Sequence, residues 1–464
     1  MSLSNEQEHA FNKFKQGHNL VITGPGGTGK SKLIQHLVQH ASFHRQNVQV
    51  TALTGCASIL LGLNAKTIHS WSGIRLCKGS NEEIIEKAVR NQRTKRNWKS
   101  TKILVIDEAS MMSAKMLFVL DAIGREIRKI DRPFGGIQVV LTCDFYQLPP
   151  VETAGDEDSG KFCFEYSNYY DLFPLNNHIV LTKIFRQTDE TYISILNEIR
   201  RGEISDTNSQ LLHQYVNRVY DKEKYGGVAL TKLFPTKSRV DTINEMMFNK
   251  IEDDNHTYPI EKCVNGVVDY NTKKPIDSSK MEACRKISAQ EKENELQFLI
   301  NNTPCLSVLE LKKGATIMCT ANIDLANGIC NGSQGVIVDF VNNIPKVKFY
   351  NGITMCMEKH IWASETYPSI YISQYPLILA WAITIHKIQG STLSMAEMDI
   401  GKNIFTYGQT YVALSRIRSL DGLYLSGFDP SRVKANPKVK EFYDRIPTTL
   451  DNNEKDTNVK IIKL

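Results

Sequence analysis

Residues 19–31 read NLVITGPGGTGKS, and a helical pattern, LIQHLVQH, follows over residues 33–40. An apolar, β-branched run that stops at a glycine cluster and gives way to helix is a strand–loop–helix unit. Its loop, GPGGTGKS at residues 24–31, matches G-x-x-x-x-G-K-[ST], in which glycines let backbone N–H groups close around phosphate oxygens. On this reading Gly24, Pro25, Gly26, Gly27, Thr28, Gly29, Lys30 and Ser31 form a phosphate cradle. Lys30 reaches the β- and γ-phosphates of ATP and the Ser31 hydroxyl ligates Mg²⁺, with the helix N-terminus adding favourable partial charge.

Further strands are expected at Val48–Leu53, at Lys102–Ile106 running into Asp107-Glu108, and at Ile137–Thr142 ending at Cys143-Asp144. Apolar strands that alternate with helices and end in polar clusters describe an α/β fold with a parallel sheet whose carboxyl edge carries the chemistry. There Asp107 is expected to hold Mg²⁺ and Glu108 to polarise the attacking water. The first α/β domain is placed at 1–180 and the second at 181–464. The second opens with a helical pattern over Leu181–Gly202 and a strand at Val228–Phe234. Residues 250–300 are polar without a clean period, which leaves insertion, loops or partial disorder open. ATIMCTAN, GVIVDFV and KVKFYNG, between residues 315 and 352, suggest a small β-barrel, and Tyr375–Ile385 reads as one buried strand.

The chain has 464 residues, 23% of them charged and 41% apolar, which excludes a mostly disordered or fibrous chain. Its net charge of +6 permits an anionic partner without demanding one. Ten cysteines without a CxxC pair argue against structural zinc. The opening MSLSNEQEHAFNKFKQ has no apolar signal core, so the thiols are expected to be reduced and the protein intracellular. Pro376–Ile385 is about half a membrane span, so no membrane segment is expected. Residues 87–102 carry Lys87, Arg90, Arg93, Lys95, Arg96, Lys99 and Lys102 beside Trp98 and no acid, a signature of nucleic-acid contact.

Downstream segments resemble the ordered motifs of superfamily 1 helicases: FGGIQVVLTCDFYQLPP (134–150) the third, IFRQ (184–187) the fourth, AWAITIHKIQGS (380–391) the fifth and YVALSR (411–416) the sixth. More narrowly, LSNEQ (3–7), TIHSWSGI (67–74) and the stretch Leu120–Gln147 resemble the PIF (petite integration frequency) family, relatives of the RecD-like helicases. The resemblance spans about Leu3–Phe428. It implies two RecA-like domains in tandem, a basic wedge-like insertion at about 75–100 and an SH3-like β insertion at about 312–375 within a larger one at 250–375.

The resemblance also implies roles. Gln7 reads adenine, Gln147 senses the γ-phosphate, and Gly390 belongs to the nucleotide site. Arg186 and Arg416 come from the second domain as arginine fingers. Thr54, His69, Trp71, His386 and Lys387 face nucleic acid, with Arg93, Lys95, Arg96 and Trp98 in the wedge. The implied activity is that of a monomeric, ATP- and Mg²⁺-dependent DNA helicase moving 5′ to 3′ on single-stranded DNA and opening duplexes or forks. Such a motor serves replication, repair, recombination or telomere maintenance. Two other readings remain open: a translocase that remodels protein–nucleic acid complexes or acts on RNA without separating strands, and a binding module whose nucleotide site switches affinity. Cys143 stands where the third motif has glycine, tolerated if the strand has already ended there, and Ile388 where the fifth has a small hydroxyl residue. The chain is expected to be a bare motor core with a short lysine- and asparagine-bearing tail.

Overall fold

A computed structural model describes residues 3–447 apart from 55–56, 59–60, 62, 64, 76, 222–229, 270–273, 325–326, 365–366, 391 and 394. The expected tail and part of the expected strand at Val228–Phe234 therefore lie outside the described residues. The chain divides into two compact units, Met1–Arg218 with Asp399–Leu464, and Val219–Met398. This differs from the expected division at 180/181. The chain leaves the first unit after Arg218 and returns to it at Asp399, so the third- to sixth-motif residues up to Gln187 and from Tyr411 share one unit with the phosphate loop.

The first unit is built on α1 (Asn5–Lys15), β1 (Leu20–Thr23), α2 (Lys30–Phe43), β2 (Val48–Ala52), β3 (Lys66–Thr67), α3 (Ile68–Ser72), α4 (Asn81–Arg90), α5 (Gln92–Ser100), β4 (Ile103–Asp107), α6 (Ala114–Arg128), β5 (Gln138–Cys143), β6 (His178–Val180) and α7 (Glu190–Arg200). Its six strands pair in the order β3-β2-β4-β5-β1-β6, all parallel. Every residue of LVIT in β1 and ILVID in β4 is buried, as strands covered on both faces require. The order sets the carboxyl ends of β4, β5 and β1 side by side, which brings Asp107, Asp144 and the phosphate loop to one edge. After the return, the unit adds the helices Gln409–Leu414 and Pro437–Asp444.

In the second unit the strand Lys232–Phe234 pairs in parallel with Ala382–Thr384 and Ala396–Ile400. The expected β-runs form Thr316–Cys319, Gln334–Val341 and Ile344–Phe349, antiparallel members of a five-stranded sheet. Tyr375–Ile385 is not one strand. It holds Leu377–Leu379, which joins the antiparallel sheet, and Ala382–Thr384, which joins the parallel one. Both halves are buried, so hydropathy alone could not mark the switch of sheets. Much of 250–300 is ordered, with strands at His256–Pro259 and Glu261–Cys263 and a helix at Ala289–Asn302 started by a Ser288/Glu291 capping box.

Candidate functional site

The phosphate loop leaves β1 at Gly24 and enters α2 through Gly29, which caps the helix in the left-handed region (φ 81°). Gly27 is also left-handed (φ 88°), and a Cβ there would stand 2.5 Å from Arg186 Cβ. At Gly24 a Cβ would meet Leu181 O at 2.3 Å. Conformation and close approach thus both demand glycine. Lys30 Nζ donates to Gly24 O (2.7 Å) and Pro25 O (2.9 Å), and burial lowers its pKa against the pull of Asp144, Glu108 and Asp107. Ser31, one residue on, is exposed. Gln7 closes the Ser4 capping box of α1 and donates from Nε2 to Thr28 O (3.2 Å), so it clamps the loop from α1. The Gly26 N–H donates to the Tyr411 hydroxyl (3.0 Å), and the Phe185 N–H to Gly27 O (2.8 Å).

Asp107 ends β4 and accepts a hydrogen bond from Thr142 Oγ1 on β5. Burial and the adjoining Glu108 carboxylate push its pKa up to about 6. Glu108 itself takes the left-handed conformation (φ 54°), a costly backbone state for a non-glycine residue. Two adjoining carboxylates at a buried sheet edge are stabilised by positive charge, which fits Mg²⁺. Among the described residues no cluster of three or more His, Cys, Asp or Glu could hold a metal alone. The chemistry of the pair suits a cation whose other ligands are oxygens.

Arg186 donates from Nη1 to Ser415 O (3.0 Å). Arg416, 1% exposed, donates from Nε to Val412 O (2.9 Å) and from Nη2 to Ser415 Oγ (2.7 Å). A Cβ on Gly26 would lie 3.5 Å from Arg186 Nη1 and 3.7 Å from Arg416 Nη2, so both guanidiniums converge on the phosphate loop. Burial and the neighbouring Arg186 bring the Arg416 pKa down to about 10. Gln147 is buried in the turn after β5, its N–H donating to Asp144 O (2.9 Å). Both arginines lie in the compact unit that holds the loop, Met1–Arg218 with Asp399–Leu464. Cys143 is likewise corrected, because it is still in β5, paired with Thr23 and buried in the core.

Sequence reasoning gave no role to Asp144, Arg200, Tyr411 or Tyr443. Asp144 is fully buried and takes Arg200 through Nε (3.1 Å to each oxygen) and Nη2 (2.8 Å). The Arg200 guanidinium lies 4.6 Å over the Tyr146 ring and 5.2 Å over that of Tyr443, and those rings stack at 4.8 Å. Asp144 was visible at a strand end; its partners, far along the chain, carried no local signal.

The nucleic-acid candidates separate. Trp71 (1% exposed) and Trp98 (0%) pack on each other with ring centroids 4.8 Å apart, and Trp98 Nε1 donates to Ser72 O. Both are buried in the hydrophobic core of the first unit and are not stacking platforms. Lys87 and Arg90 are paired with Glu83 and Glu86, acids just upstream of the basic stretch, which corrects its reading as unopposed charge. Arg96 and Lys99 are exposed, Arg93 and Lys95 half-buried. Thr54 is exposed and its Oγ1 accepts from the Ala57 N–H (3.2 Å); His69 is half-buried, which lowers its pKa. His386 (half-buried), Lys387 (exposed), Gly390 and the buried Ile388 lie in the second unit, and Ser391 outside the described residues.

A glycine loop at a helix N-terminus, an acid pair on the neighbouring strand end and convergent arginines define a P-loop nucleotide-binding protein. A family model described as PIF1-like helicase matches residues 2–210, and one described as DNA helicase Pif1, 2B domain matches residues 296–340. ATP-dependent DNA helicase PIF1 of Xenopus laevis is 36% identical over 449 residues, 96% of this chain and 64% of that protein. The crystal structure of Pif1 helicase from Candida albicans is 33% identical with a TM-score of 0.77, covering 96% of this chain and 100% of that one. Pif1 helicase from Bacteroides in complex with ADP-AlF3 and ssDNA is 27% identical with a TM-score of 0.65, covering 96% and 97%. The chain belongs to the Pif1 helicase family, and it spans just under two thirds of the length of the Xenopus relative.

Proposed function

We propose that the protein is an ATP-dependent DNA helicase that translocates 5′ to 3′ on single-stranded DNA and unwinds duplex or forked DNA as a monomer. The observation that carries the reading is the convergence of Arg186 and Arg416 on a phosphate loop flanked by Asp107 and Glu108. Arginines aimed where charge develops in phosphoryl transfer are the mark of hydrolysis rather than of nucleotide storage. Lys30 binds the β- and γ-phosphates, Glu108 orients the attacking water, Gln147 senses the γ-phosphate, and Gln7 braces the loop where adenine enters. Gly390 is assigned to the nucleotide site on the family's pattern alone. Ser31 and Asp107 would hold Mg²⁺, which when bound neutralises charge on the phosphates. The Bacteroides relative in complex with ADP-AlF3 and ssDNA supports both ligands here. Thr54, His69, Arg93, Lys95, Arg96, His386 and Lys387 are the proposed strand contacts. A reducing, intracellular setting is part of the same proposal.

The test is steady-state ATP hydrolysis with and without single-stranded DNA, RNA as the competing polymer and Lys30→Ala as the blank, followed by unwinding of tailed duplexes. Strong stimulation by DNA, opening of 5′-tailed substrates only, and a loss of about 10³-fold in Lys30→Ala are expected. Stimulation by neither polymer, or unwinding from 3′ tails, overturns the reading.

A further inference from the structure

The main-chain ladder between β1 and β5 ends at Thr23↔Cys143. Beyond that pair the strands part: one becomes the phosphate loop, the other the tight turn carrying Gln147, closed by the Gln147 N–H on Asp144 O (2.9 Å). Hydrolysis on the nucleotide reading needs the γ-phosphate end of that loop and Gln147 held at a fixed separation. One side chain spans the gap. Tyr443, on the helix Pro437–Asp444, places its hydroxyl in hydrogen-bond contact with Thr23 Oγ1, accepts from the Phe145 N–H (3.3 Å) and lies 3.4 Å from Asp144 Oδ1. A phenol has one donor and two acceptor sites, and this position engages all of them. Its ring stacks on Tyr146, the residue before Gln147, at 4.8 Å and 11°. Arg200, bonded to Asp144, covers both rings. The other side of the turn has no slack either, since a Cβ on Gly408 would stand 2.4 Å from Tyr146 O and 2.6 Å from Gln147 O.

We infer that Tyr443 is a positioning residue for ATP hydrolysis, a side-chain rung that continues the β1–β5 ladder and sets Gln147 against the phosphate loop. The inference rests on the nucleotide reading above. Its action runs through Gln147, so it belongs to the chemical step and not to nucleotide capture. Tyr443→Phe keeps the stacked ring and removes only the hydroxyl. The expected result is a roughly tenfold lower kcat for ATP with KM within about twofold. In a Gln147→Ala background the same change adds no further loss, because the residue it positions is gone. A role in stability alone would lower the unfolding midpoint and leave kcat per folded molecule where it was.

The experiment measures kcat and KM for wild type, Tyr443→Phe, Gln147→Ala and the double variant, with Lys30→Ala as the blank. Unchanged kcat in Tyr443→Phe overturns the inference, as does a loss that multiplies undiminished in the Gln147→Ala background. Wild-type turnover no higher than the Lys30→Ala blank instead overturns the nucleotide reading, and the inference with it. Should Tyr443→Phe lose its cooperative unfolding transition, Thr23→Val removes the other end of the bridge, and the same kcat loss is required of it.

Discussion

In helices α4 and α5 the cations Lys87, Arg90, Arg96 and Lys99 stand in water. The Lys87 and Arg90 side chains are 74% and 79% exposed, and their carboxylate partners sit one turn away on the same helix. Around the phosphate loop Arg416 is buried and Arg186 and Arg200 are half-buried, with backbone carbonyls or a single fixed carboxylate for company. The charge is the same; the medium is not. Two unit charges 4 Å apart interact by about 1 kcal/mol in bulk water and about 4 kcal/mol at the effective dielectric typical of proteins. Arg200 has its anion in Asp144. Arg186 and Arg416 donate to carbonyl and hydroxyl oxygens and repel one another, and a phosphate arriving at the loop brings negative charge to both. On the proposed function the set around the loop serves the chemistry, while the exposed set serves an encounter that salt can screen.

The largest effect that could break this contrast is at Arg416. Arg416→Ala should lower kcat for ATP by about 10³–10⁵-fold with the unfolding transition retained, and adding Arg186→Ala should cost little more, since the two act as a unit. A loss under tenfold would place Arg416 among structural arginines. Next comes Arg200→Met, which strands Asp144 as an uncompensated buried charge. Denaturant titration should show a destabilisation of about 3–5 kcal/mol, partly recovered by adding Asp144→Asn.

A third expectation concerns a cation that burial forbids. His178, 4% exposed, receives Tyr169 OH at Nε2 (3.0 Å) and faces Pro174 O and Leu175 O from Nδ1 (3.2 Å each). Burial holds its pKa down at about 4 against an ordinary 6.5. The unfolded chain therefore takes up the proton first as pH falls. Its contribution to stability is whole above pH 6.5 and is lost progressively toward pH 4, by about 3 kcal/mol. Unfolding free energies across that window should slope less in His178→Gln than in wild type; equal slopes would remove His178 from the account. The smallest effect belongs to the exposed face. Arg96→Glu with Lys99→Glu should weaken single-strand binding evenly across sequences and flatten its salt dependence by about 0.7 for each phosphate no longer neutralised, with DNA-free ATP turnover unchanged.

The loop, its acids and the strand ends that carry them were legible because each is a local pattern: an apolar run, a breaker and a polar cluster within a few residues. The same locality misled at Trp98. The i, i+4 spacing of Thr94 and Trp98 already marks the buried face of α5, but counting cations drew attention to the opposite one. Counting from residue 87 also cut Glu83 and Glu86 away from the lysine and arginine they neutralise. Ala380-Trp381, where the run 375–385 changes sheets, is as apolar as its flanks, so no breaker announced it. Arg200 and Tyr443 were illegible for another reason: what they touch is set by the tertiary fold, and no spacing encodes a contact made some 300 positions away.

The interruption of the first unit between Arg218 and Asp399 also orders events in time. Ribosomes add about 5–20 residues per second, so the stretch from Arg218 to Tyr443 takes roughly 11–45 s to make. Until Tyr411 is added the nascent chain carries the whole phosphate loop and both carboxylates, yet lacks Tyr411, Arg416 and Tyr443. On the proposed function, a growing polypeptide therefore gains the residues that hold a nucleotide before those that split it.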